Sequence, residues 1–443
     1  MRTPVLLLTA ALAAMAATPL SATAAESSFR VVTTGLGNPY EIAIGQDGFL
    51  WATERTGHRV LRINPRTGQQ HTAATVADAV HTDWGQDGVL GMALHPASPH
   101  VFVAYTYDAD PGTVLERKTK IVRFTNADGR LHDATDVITG LPGEIEHQAG
   151  RLTFGPDRKL YFTVGDQSAN QGNEKCKPIR AQQLPTADEV RARNWTAYSG
   201  KVLRLELDGS IPMDNPVLDG VRSHVHSYGH RNPQGLVFGP TGTLYSSEHG
   251  HKTDDEVNVI NRGKDYGWPH VAGYRDDNAY VYGNWSAAPD CAELVYGDVI
   301  PPSVPQTKES EWQGTFVAPI KTFHTVPSDH DFTDEKCAKD NLYYLCWPTV
   351  APSSLDHTGR SLLMPTLKEG TVYQLVLNHD GTKVTSVRPM WRTVNRYRDT
   401  AVSPDGRTVY VATDSSGRAK DADGVPTTAL ANPGSILEFT LAP

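Results

Sequence analysis

Short apolar strands that alternate with turns recur along this chain. The repeated unit is an apolar strand, a turn containing Pro, Asp or Gly, and a second strand that ends in polar residues. Whole copies are IAIGQDGFLWATER (42–55), MALHPASPHVFVAYTY (92–107), LTFGPDRKLYFTVGD (152–166), LVFGPTGTLYSSEHG (236–250) and AVSPDGRTVYVATD (401–414). A further copy, SLLMPTLKEG (361–370), preserves only the second strand and its polar end. Internal repeats of this kind indicate a repeat architecture.

A further strand follows each copy. These strands lie within residues 58–68, 119–129, 200–209, 255–263, 370–381 and 434–443. Most alternate apolar and polar residues, as half-buried strands do, and many end in Asp-Gly or a similar turn. Six such units predict an all-β fold, a six-bladed β-propeller of four-stranded antiparallel blades with long inserted loops. A β-helix and two stacked sandwiches are the alternatives, and the only helical pattern is TADEVRAR (186–193).

The polar ends of the second strands are expected to meet on one face of such a ring. These ends are Thr53–Arg55, Gly165–Gln167, Ser247–Gly250 and Thr366–Lys368. Their convergence predicts a central cavity lined by charged groups. Insertions between the strands are expected to carry function, because binding residues often lie on loops held by a rigid scaffold.

The N-terminal residues have the pattern of a signal peptide. Arg2 precedes an apolar run over residues 5–17, and Ala22-Thr23-Ala24 is a small-residue cleavage site. Cleavage near Ala24 would leave residues 25–443 as one propeller catalytic domain, and a buried N-terminal helix is the alternative. The run is too short to span a bilayer, and no later segment is long and apolar enough to do so. We therefore expect a secreted or periplasmic protein without a membrane span.

Charge and cysteine content narrow the picture further. The net charge of −9 argues against nucleic acid and against an anionic membrane surface as partners. An exported chain can keep disulfides, and the closeness of Cys337 and Cys346 makes them the first expected pair. Cys176 and Cys291 would be the second pair, with free thiols as the alternative. The sequence contains no Cys-x-x-Cys motif, so it gives little support to a zinc or redox site.

Several groups of residues carry side chains that catalysis or ligand binding would need. His147, beside Glu146 before a strand, suits a general base near neutral pH, although a structural histidine is the simpler interpretation. Arg396 and Arg398 would point the same way in an extended segment and grip a carboxylate or phosphate, unless both are solvated. Loops 248–256 and 265–277 are rich in acidic oxygens and suit Ca²⁺, with a metal-free acidic turn as the alternative.

At these motifs the sequence resembles the soluble PQQ-dependent glucose dehydrogenases of the quinoprotein glucose/sorbosone dehydrogenase family. The matching strings are DGVLGMALHP (87–96), HQAGRLTFGPDRKLYFTVGDQSANQ (147–171), GKVLRLELDGSIPMDNP (200–216), GHRNPQGLVFGP (229–240), DDEVNVINRGKDYGWPHVAGYRDD (254–277), KESEW (308–312), CWPTVAPSS (346–354) and NRYRDTAVSPDG (395–406). The resemblance implies a six-bladed propeller that oxidises an aldose, glucose first of all, to its lactone. PQQ and Ca²⁺ are the implied cofactors, with a soluble electron acceptor and a possible homodimer.

The resemblance also implies residue roles. His147 would take the proton of the anomeric hydroxyl while hydride passes to the quinone, with Glu146 as the carboxylate beside it and Arg231 at the quinone or sugar. The implied sugar-binding residues are Gln86, Asp166 and Gln171. The implied PQQ-binding residues are Arg231, Asn232, Thr349, Lys368, Arg396 and Arg398. The implied calcium ligands are carbonyls of Gly250 and His251 at the catalytic ion, and Glu256, Tyr266, Ala272, Asp276 and Glu309 at a second ion.

Two positions depart from the family pattern. Glu146 replaces the Asp of the family pattern, and this replacement puts the sugar preference in doubt. His251 replaces a Pro, and we expect the metal loop to be less rigid as a result. A calcium-dependent propeller hydrolase of the lactonase type and a non-catalytic binding propeller are the competing functions. Neither needs Lys368, Arg396 and Arg398, whereas PQQ has three carboxylates and needs several fixed cations.

Overall fold

The computed structural model describes residues 28–338 and 342–441. Six four-stranded antiparallel sheets form the molecule and confirm the predicted propeller. The predicted signal peptide, residues 1–24, lies outside the described residues.

The blades follow the chain, with the innermost strand first. Blade 1 consists of Pro39–Ile44, Leu50–Glu54, Arg59–Ile63 and Gln70–Thr75, and blade 2 of Val89–Leu94, His100–Asp108, Arg117–Ala127 and Arg130–Pro142. Blade 3 consists of Ala149–Phe154, Leu160–Val164, Lys201–Leu205 and Val225–Tyr228, and blade 4 of Pro233–Phe238, Leu244–Glu248, Asp255–Ile260 and Lys321–Phe323. Blade 5 consists of Asp356–Thr358, Ser361–Pro365, Val372–Leu377 and Val384–Met390. The innermost strands contact one another in sequence and complete a ring.

Blade 6 closes the ring with strands from both ends of the chain. Its inner three strands are Tyr397–Val402, Thr408–Thr413 and Ile436–Thr440, and its outermost strand is Phe29–Thr33. In the register of the last pair, Phe29 lies opposite Phe439. These main-chain hydrogen bonds tie the two ends of the chain together in one blade.

The core lies between neighbouring blades. Phe102 of blade 2 and Phe162 of blade 3 share one buried apolar cluster, and Tyr245 of blade 4 and Leu362 of blade 5 share another. Burial of one such side chain contributes roughly 1.5–3 kcal/mol, so the sheets are held face to face by these layers.

Local structure explains the weakest sequence repeat. The inner strand of blade 5, Asp356–Thr358, has only three residues, which is too short to leave an apolar pattern. The predicted helix forms over Ala187–Arg191, with a capping box between Thr186 and Glu189. Two further helices of four residues, Glu335–Ala338 and Tyr343–Cys346, were not predicted because one turn has no periodicity to detect.

Smaller elements lie in the insertions. The 3₁₀ turns are Gly172–Glu174, Thr196–Tyr198, Trp285–Ala287 and Glu309–Glu311. Two-stranded hairpins pair Val217–Leu218 with Val221–Arg222, Tyr282–Gly283 with Gln306–Thr307, and Ala419–Lys420 with Pro426–Thr427.

The guanidinium of Arg151 occupies the axis of the ring. Arg151 belongs to the inner strand of blade 3 and donates to the carbonyls of Gln234 and Ser353, each at 2.9 Å. The same group lies 2.8 Å from the carboxylate of Glu41 in blade 1 and 3.4 Å from that of Asp399 in blade 6. Arg151 is buried, so this ion network closes the axis.

Both predicted disulfides are present. Cys176 pairs with Cys291, and Cys337 pairs with Cys346. The first bond ties the insertion between the second and third strands of blade 3 to the long insertion of blade 4. Within the described residues, no helix has the length and apolar content needed to cross a membrane.

Candidate functional site

Three of the four predicted strand ends line a cavity of ≈ 620 Å³, and the fourth, Gly165–Gln167 in blade 3, does not. Arg55, His249 and Leu367 follow these strands in blades 1, 4 and 5 and line the cavity. The remaining lining comes from loops and from blade 6: Asp83, Trp84, Gly85, Gln86, Glu146, Gln234, Tyr344, Arg396, Arg398, Asp414, Ser416, Gly417 and Arg418.

A buried histidine and a buried aspartate meet in blade 3. The Nδ1 atom of His147 lies 2.7 Å from Oδ1 of Asp166. The strand register explains why the two residues meet. Ala149 pairs with Val164, and His147 and Asp166 each lie two positions beyond that pair. A carboxylate acceptor at this distance favours the tautomer with its proton on Nδ1, in which the lone pair lies on Nε2.

Asp166 is held by more than the histidine. Its Oδ1 accepts a hydrogen bond from the amide of Ser168 at 3.0 Å, and its Oδ2 accepts from Nε1 of Trp268 at 2.9 Å. Asp166 is 1% exposed. A carboxylate fixed in this way holds the imidazole in one orientation and would stabilise its protonated form.

Glu146 does not occupy the position that the resemblance implied. Its Oε2 accepts from the hydroxyl of Ser168 at 3.4 Å, and within the described residues no hydrogen bond joins it to His147. His147 has φ 49°, a left-handed turn that directs the neighbouring side chain elsewhere. Asp166, expected on the sugar side, is the carboxylate beside the ring, and Glu146 lines the cavity instead.

Gln171 and Arg231 lie on the Nε2 side of His147. The amide nitrogen of Gln171 is 3.5 Å from Nε2, and its Oε1 accepts from Nη2 of Arg231 at 3.1 Å. The Nε of Arg231 is buried without a hydrogen-bond partner among the described residues. In the same wall, Nδ2 of Asn232 is 3.5 Å from Oε1 of Gln86.

The paired arginines point the same way, as predicted, and share Asp414. Nε of Arg396 lies 3.0 Å from Oδ2, and Arg398 makes two contacts of 2.9 Å with the same carboxylate. Burial alone would raise the pKa of Asp414, but Arg398 and Arg396 outweigh it and lower the pKa to about 2. Burial, with Arg398 nearby, lowers the pKa of Arg55 to about 10.

Lys368 is a buried amine that lacks a carboxylate partner among the described residues. Its Nζ donates to the carbonyl of Trp347 at 2.8 Å and to the hydroxyl of Thr349 at 2.6 Å. Burial, reinforced by Lys420, lowers the pKa of Lys368 to about 7. An anion bound here would supply the missing countercharge.

The loop 250–251 offers two backbone oxygens. Within the described residues, no group donates a hydrogen bond to the carbonyl of Gly250 or of His251. A Cβ at Gly250 would lie 1.9 Å from the carbonyl of Thr253, so only glycine permits this close turn. Carbonyl oxygens on a fixed loop are ligands that Ca²⁺ prefers.

The histidine at position 251 packs against three aromatic side chains. Its ring is stacked with Trp268 at 6.3 Å, packs edge-on against Tyr280 at 5.9 Å, and lies 3.2 Å from the hydroxyl of Tyr296. These contacts restrain the side chain, and the expected loosening of the loop stays a prediction.

The residues predicted for a second calcium ion come together only in part. Glu256 accepts from the amide of Gly273, and Glu309 accepts from the amides of Ala272 and Asp276. Burial raises the pKa of Glu309 to about 7. Across residues 28–338 and 342–441, no three His, Cys, Asp or Glu side chains are grouped as a metal site. Any ion here would depend on backbone oxygens such as that of Tyr266.

Sequence reasoning assigned no role to Asp414 and Trp268. Asp414 follows the second strand of blade 6, so the rule that marked the other polar strand ends would also have found it. Trp268 lies in a long insertion, and no pattern in the sequence connects it to Asp166.

A closed six-bladed ring that holds a buried His–Asp pair and several cations has the architecture of a propeller enzyme. Residues 36–336 match the family model described as Glucose / Sorbosone dehydrogenase. The chain is 42% identical to quinoprotein glucose dehydrogenase B of Acinetobacter calcoaceticus over 433 residues, which cover 93% of this chain and 90% of that protein. The chain belongs to the glucose/sorbosone dehydrogenase family.

Solved structures agree on the fold. A putative oxidoreductase (glucose dehydrogenase) from Thermus thermophilus matches with a TM-score of 0.65 and 27% identity, covering 94% of this chain and 100% of that one. The PQQ-bound aldose sugar dehydrogenase from Streptomyces coelicolor matches with a TM-score of 0.64 and 24% identity, covering 93% of this chain and 96% of that one.

Proposed function

We propose that this protein oxidises an aldose, glucose first of all, at the anomeric carbon to the lactone, with PQQ as hydride acceptor. The observation that supports this most is the His147–Asp166 pair, in which Nε2 of His147 faces the amide of Gln171 and that amide accepts from Arg231. A soluble electron acceptor would then regenerate the cofactor.

His147 acts as the general base in this proposal. Its Nε2 takes the proton of the anomeric hydroxyl, and Asp166 stabilises the resulting imidazolium through Nδ1–H. Base catalysis of this kind contributes about 10²–10⁴ in rate. Gln171, Gln86 and Arg231 hold the sugar hydroxyls so that the anomeric C–H faces the acceptor.

The cation set fits a ligand with three carboxylates. The hydrogen bonds that Lys368 donates within the described residues go to neutral oxygens, and the Nε of Arg231 lacks a partner among those residues. Arg396 and Arg398 share a single carboxylate, which leaves positive charge on that side of the cavity. These residues, with Asn232 and Thr349, would hold PQQ, which supplies the two-electron acceptor.

The carbonyls of Gly250 and His251 would hold Ca²⁺ against the cofactor, where the ion supplies Lewis acidity. Glu256, Tyr266, Ala272, Asp276 and Glu309 would hold a second, structural ion. Nothing in the described part of the site favours the lactonase-type hydrolase, since hydrolysis gives no role to the cations around Asp414 and Lys368.

Export from the cytoplasm is part of the proposal. Two disulfides suit an oxidising compartment. Cleavage near Ala24 would release the propeller into the periplasm or the medium.

Reconstitution tests the function. Apoprotein is titrated with PQQ in the presence of Ca²⁺, and dye reduction is followed with glucose and a panel of aldoses. We expect saturation near one PQQ per chain and sugar-dependent reduction. His147→Ala should bind PQQ normally and lose most turnover. Failure of the wild-type protein to bind PQQ would contradict the cofactor, and normal turnover by His147→Ala would contradict the base.

A further inference from the structure

Trp268 lies behind the proposed base and touches its carboxylate. Its indole Nε1–H donates to Oδ2 of Asp166 at 2.9 Å, while Oδ1 of the same carboxylate faces Nδ1 of His147. The tryptophan is 5% exposed, so water does not compete for this contact. The three groups form a continuous relay of indole, carboxylate and imidazole.

The same indole supports two other parts of the site. The guanidinium of Arg231 lies over its ring at 5.4 Å, within reach of a cation–π interaction. The ring of His251 is stacked on it at 6.3 Å. One side chain from the insertion of blade 4 therefore contacts groups that come from blade 3, from the start of blade 4 and from the loop 250–251.

We propose that Trp268 is a positioning residue for the sugar oxidation, which fixes the carboxylate of Asp166 and limits its basicity. This inference rests on the proposed function of His147. Within the described residues, Trp268 is the hydrogen-bond donor to Oδ2; the other donors, His147 and Ser168, contact Oδ1. Without the indole N–H, a buried oxygen would lose its partner, and the carboxylate would rotate or attract the proton of His147 more strongly.

The direction of the effect follows from charge. A carboxylate that loses its second donor is no longer held in line with Nδ1, which should slow turnover, and it becomes more basic, so it keeps the imidazole protonated at higher pH. The acidic limb of the rate profile should then move to higher pH, because the base is protonated over a wider range. The titratable or charged groups that face the pair from neighbouring elements are Glu146, Arg231, Glu248, His249, His251 and Tyr296.

Trp268→Phe removes the donor and keeps a smaller aromatic face for Arg231. We expect kcat to fall about tenfold or more, the KM for the sugar to stay within about twofold, and the acidic limb to move to higher pH. Trp195→Phe is the matched control: Trp195 is also buried and donates its indole N–H to the carbonyl of Thr139 at 3.0 Å, away from the site. An unchanged kcat and pH profile in Trp268→Phe would overturn the proposal.

A second readout does not require the cofactor. The imidazole of His147 is titrated by NMR in the wild-type apoprotein and in apo Trp268→Phe. The variant His147→Gln serves to assign its resonance. A raised pKa in the variant supports the positioning role, and an equal pKa overturns it. If Trp268→Phe does not fold, the wild-type indole resonance decides: it should titrate with the same midpoint as His147. If the wild-type protein oxidises no sugar, the proposed function is refuted. The role of Trp268 is still tested, because the NMR titrations do not depend on turnover.

Discussion

Nδ1 of His147 lies 2.7 Å from Oδ1 of Asp166, a residue 19 positions further along the chain. The adjacent residue, Glu146, instead faces the hydroxyl of Ser168. Strand pairing, rather than sequence proximity, therefore selects the carboxylate that orients the proposed base.

Replacing each carboxylate by its amide tests whether Asp166 or Glu146 orients the proposed base. Asp166→Asn should lower kcat by about 10²–10⁴, because an amide cannot stabilise the imidazolium and favours the wrong tautomer. Glu146→Gln should leave kcat close to that of wild type. Steady-state kinetics with reconstituted enzyme checks both variants, and an equal loss in Glu146→Gln would show that Glu146 also orients the base.

Removal of one proposed PQQ cation should weaken the cofactor more than the sugar. Arg396→Ala takes away a charge-assisted contact, worth about 1.5–3 kcal/mol, so the Kd for PQQ should rise roughly 10- to 100-fold. The KM for the sugar, measured at saturating PQQ, should change little. Arg388→Ala, an exposed arginine on the outermost strand of blade 5, is the control. An unchanged PQQ titration in Arg396→Ala would remove this residue from the cofactor site.

Binding of PQQ should take up a proton at Lys368. Burial lowers the pKa of Lys368 to about 7 in the protein without ligand, so the amine loses its charge above that pH. A bound carboxylate favours the charged form, and affinity should therefore fall as the pH rises above 7, by up to about tenfold per unit. Titrations at pH 6, 7, 8 and 9 measure the slope. Lys368→Met should bind more weakly at pH 6 and lose the slope; a slope that persists in this variant would assign the proton to another group.

Chelation should affect stability as well as activity. Glu256 and Glu309 are buried near loop 272–277 and face amides rather than cations, so loss of an ion would leave them uncompensated. A strong chelator should lower both turnover and Tm, and Ca²⁺ should restore both. Differential scanning fluorimetry measures the second effect. If the Tm is indifferent to chelator while activity falls, calcium is confined to the catalytic position.

Loss of the long disulfide should loosen the sugar side of the cavity. Cys176 and Cys291 are 115 residues apart, and a cross-link over such a loop contributes up to roughly 4–5 kcal/mol. Serine at both positions should lower Tm and raise the KM for the sugar, since Gln171 lies five residues before Cys176. Serine at Cys337 and Cys346, which close a short loop, should affect Tm less. A larger fall in Tm for the short-loop variant would contradict this order.

The blades were predictable because each strand carries its own apolar period, and the cavity followed because strand ends on one face of a ring must converge. The paired arginines followed from the alternation of an extended segment. Asp166 as the partner of His147 could not be predicted in the same way, since it depends on the register between two strands. Trp268 reaches Asp166 from an insertion more than a hundred residues away in sequence, and only the folded chain connects them.

The ion network around Arg151 has a consequence for traffic through the enzyme. That guanidinium contacts the inner strands of blades 1, 4 and 6, so it fills the space between them on the side away from the strand ends. In the proposed reaction, sugar, lactone and electron acceptor would then share the side of the cavity that Trp84 and Tyr344 line. We therefore expect the lactone to leave before the acceptor binds, a double-displacement order that would give parallel reciprocal plots.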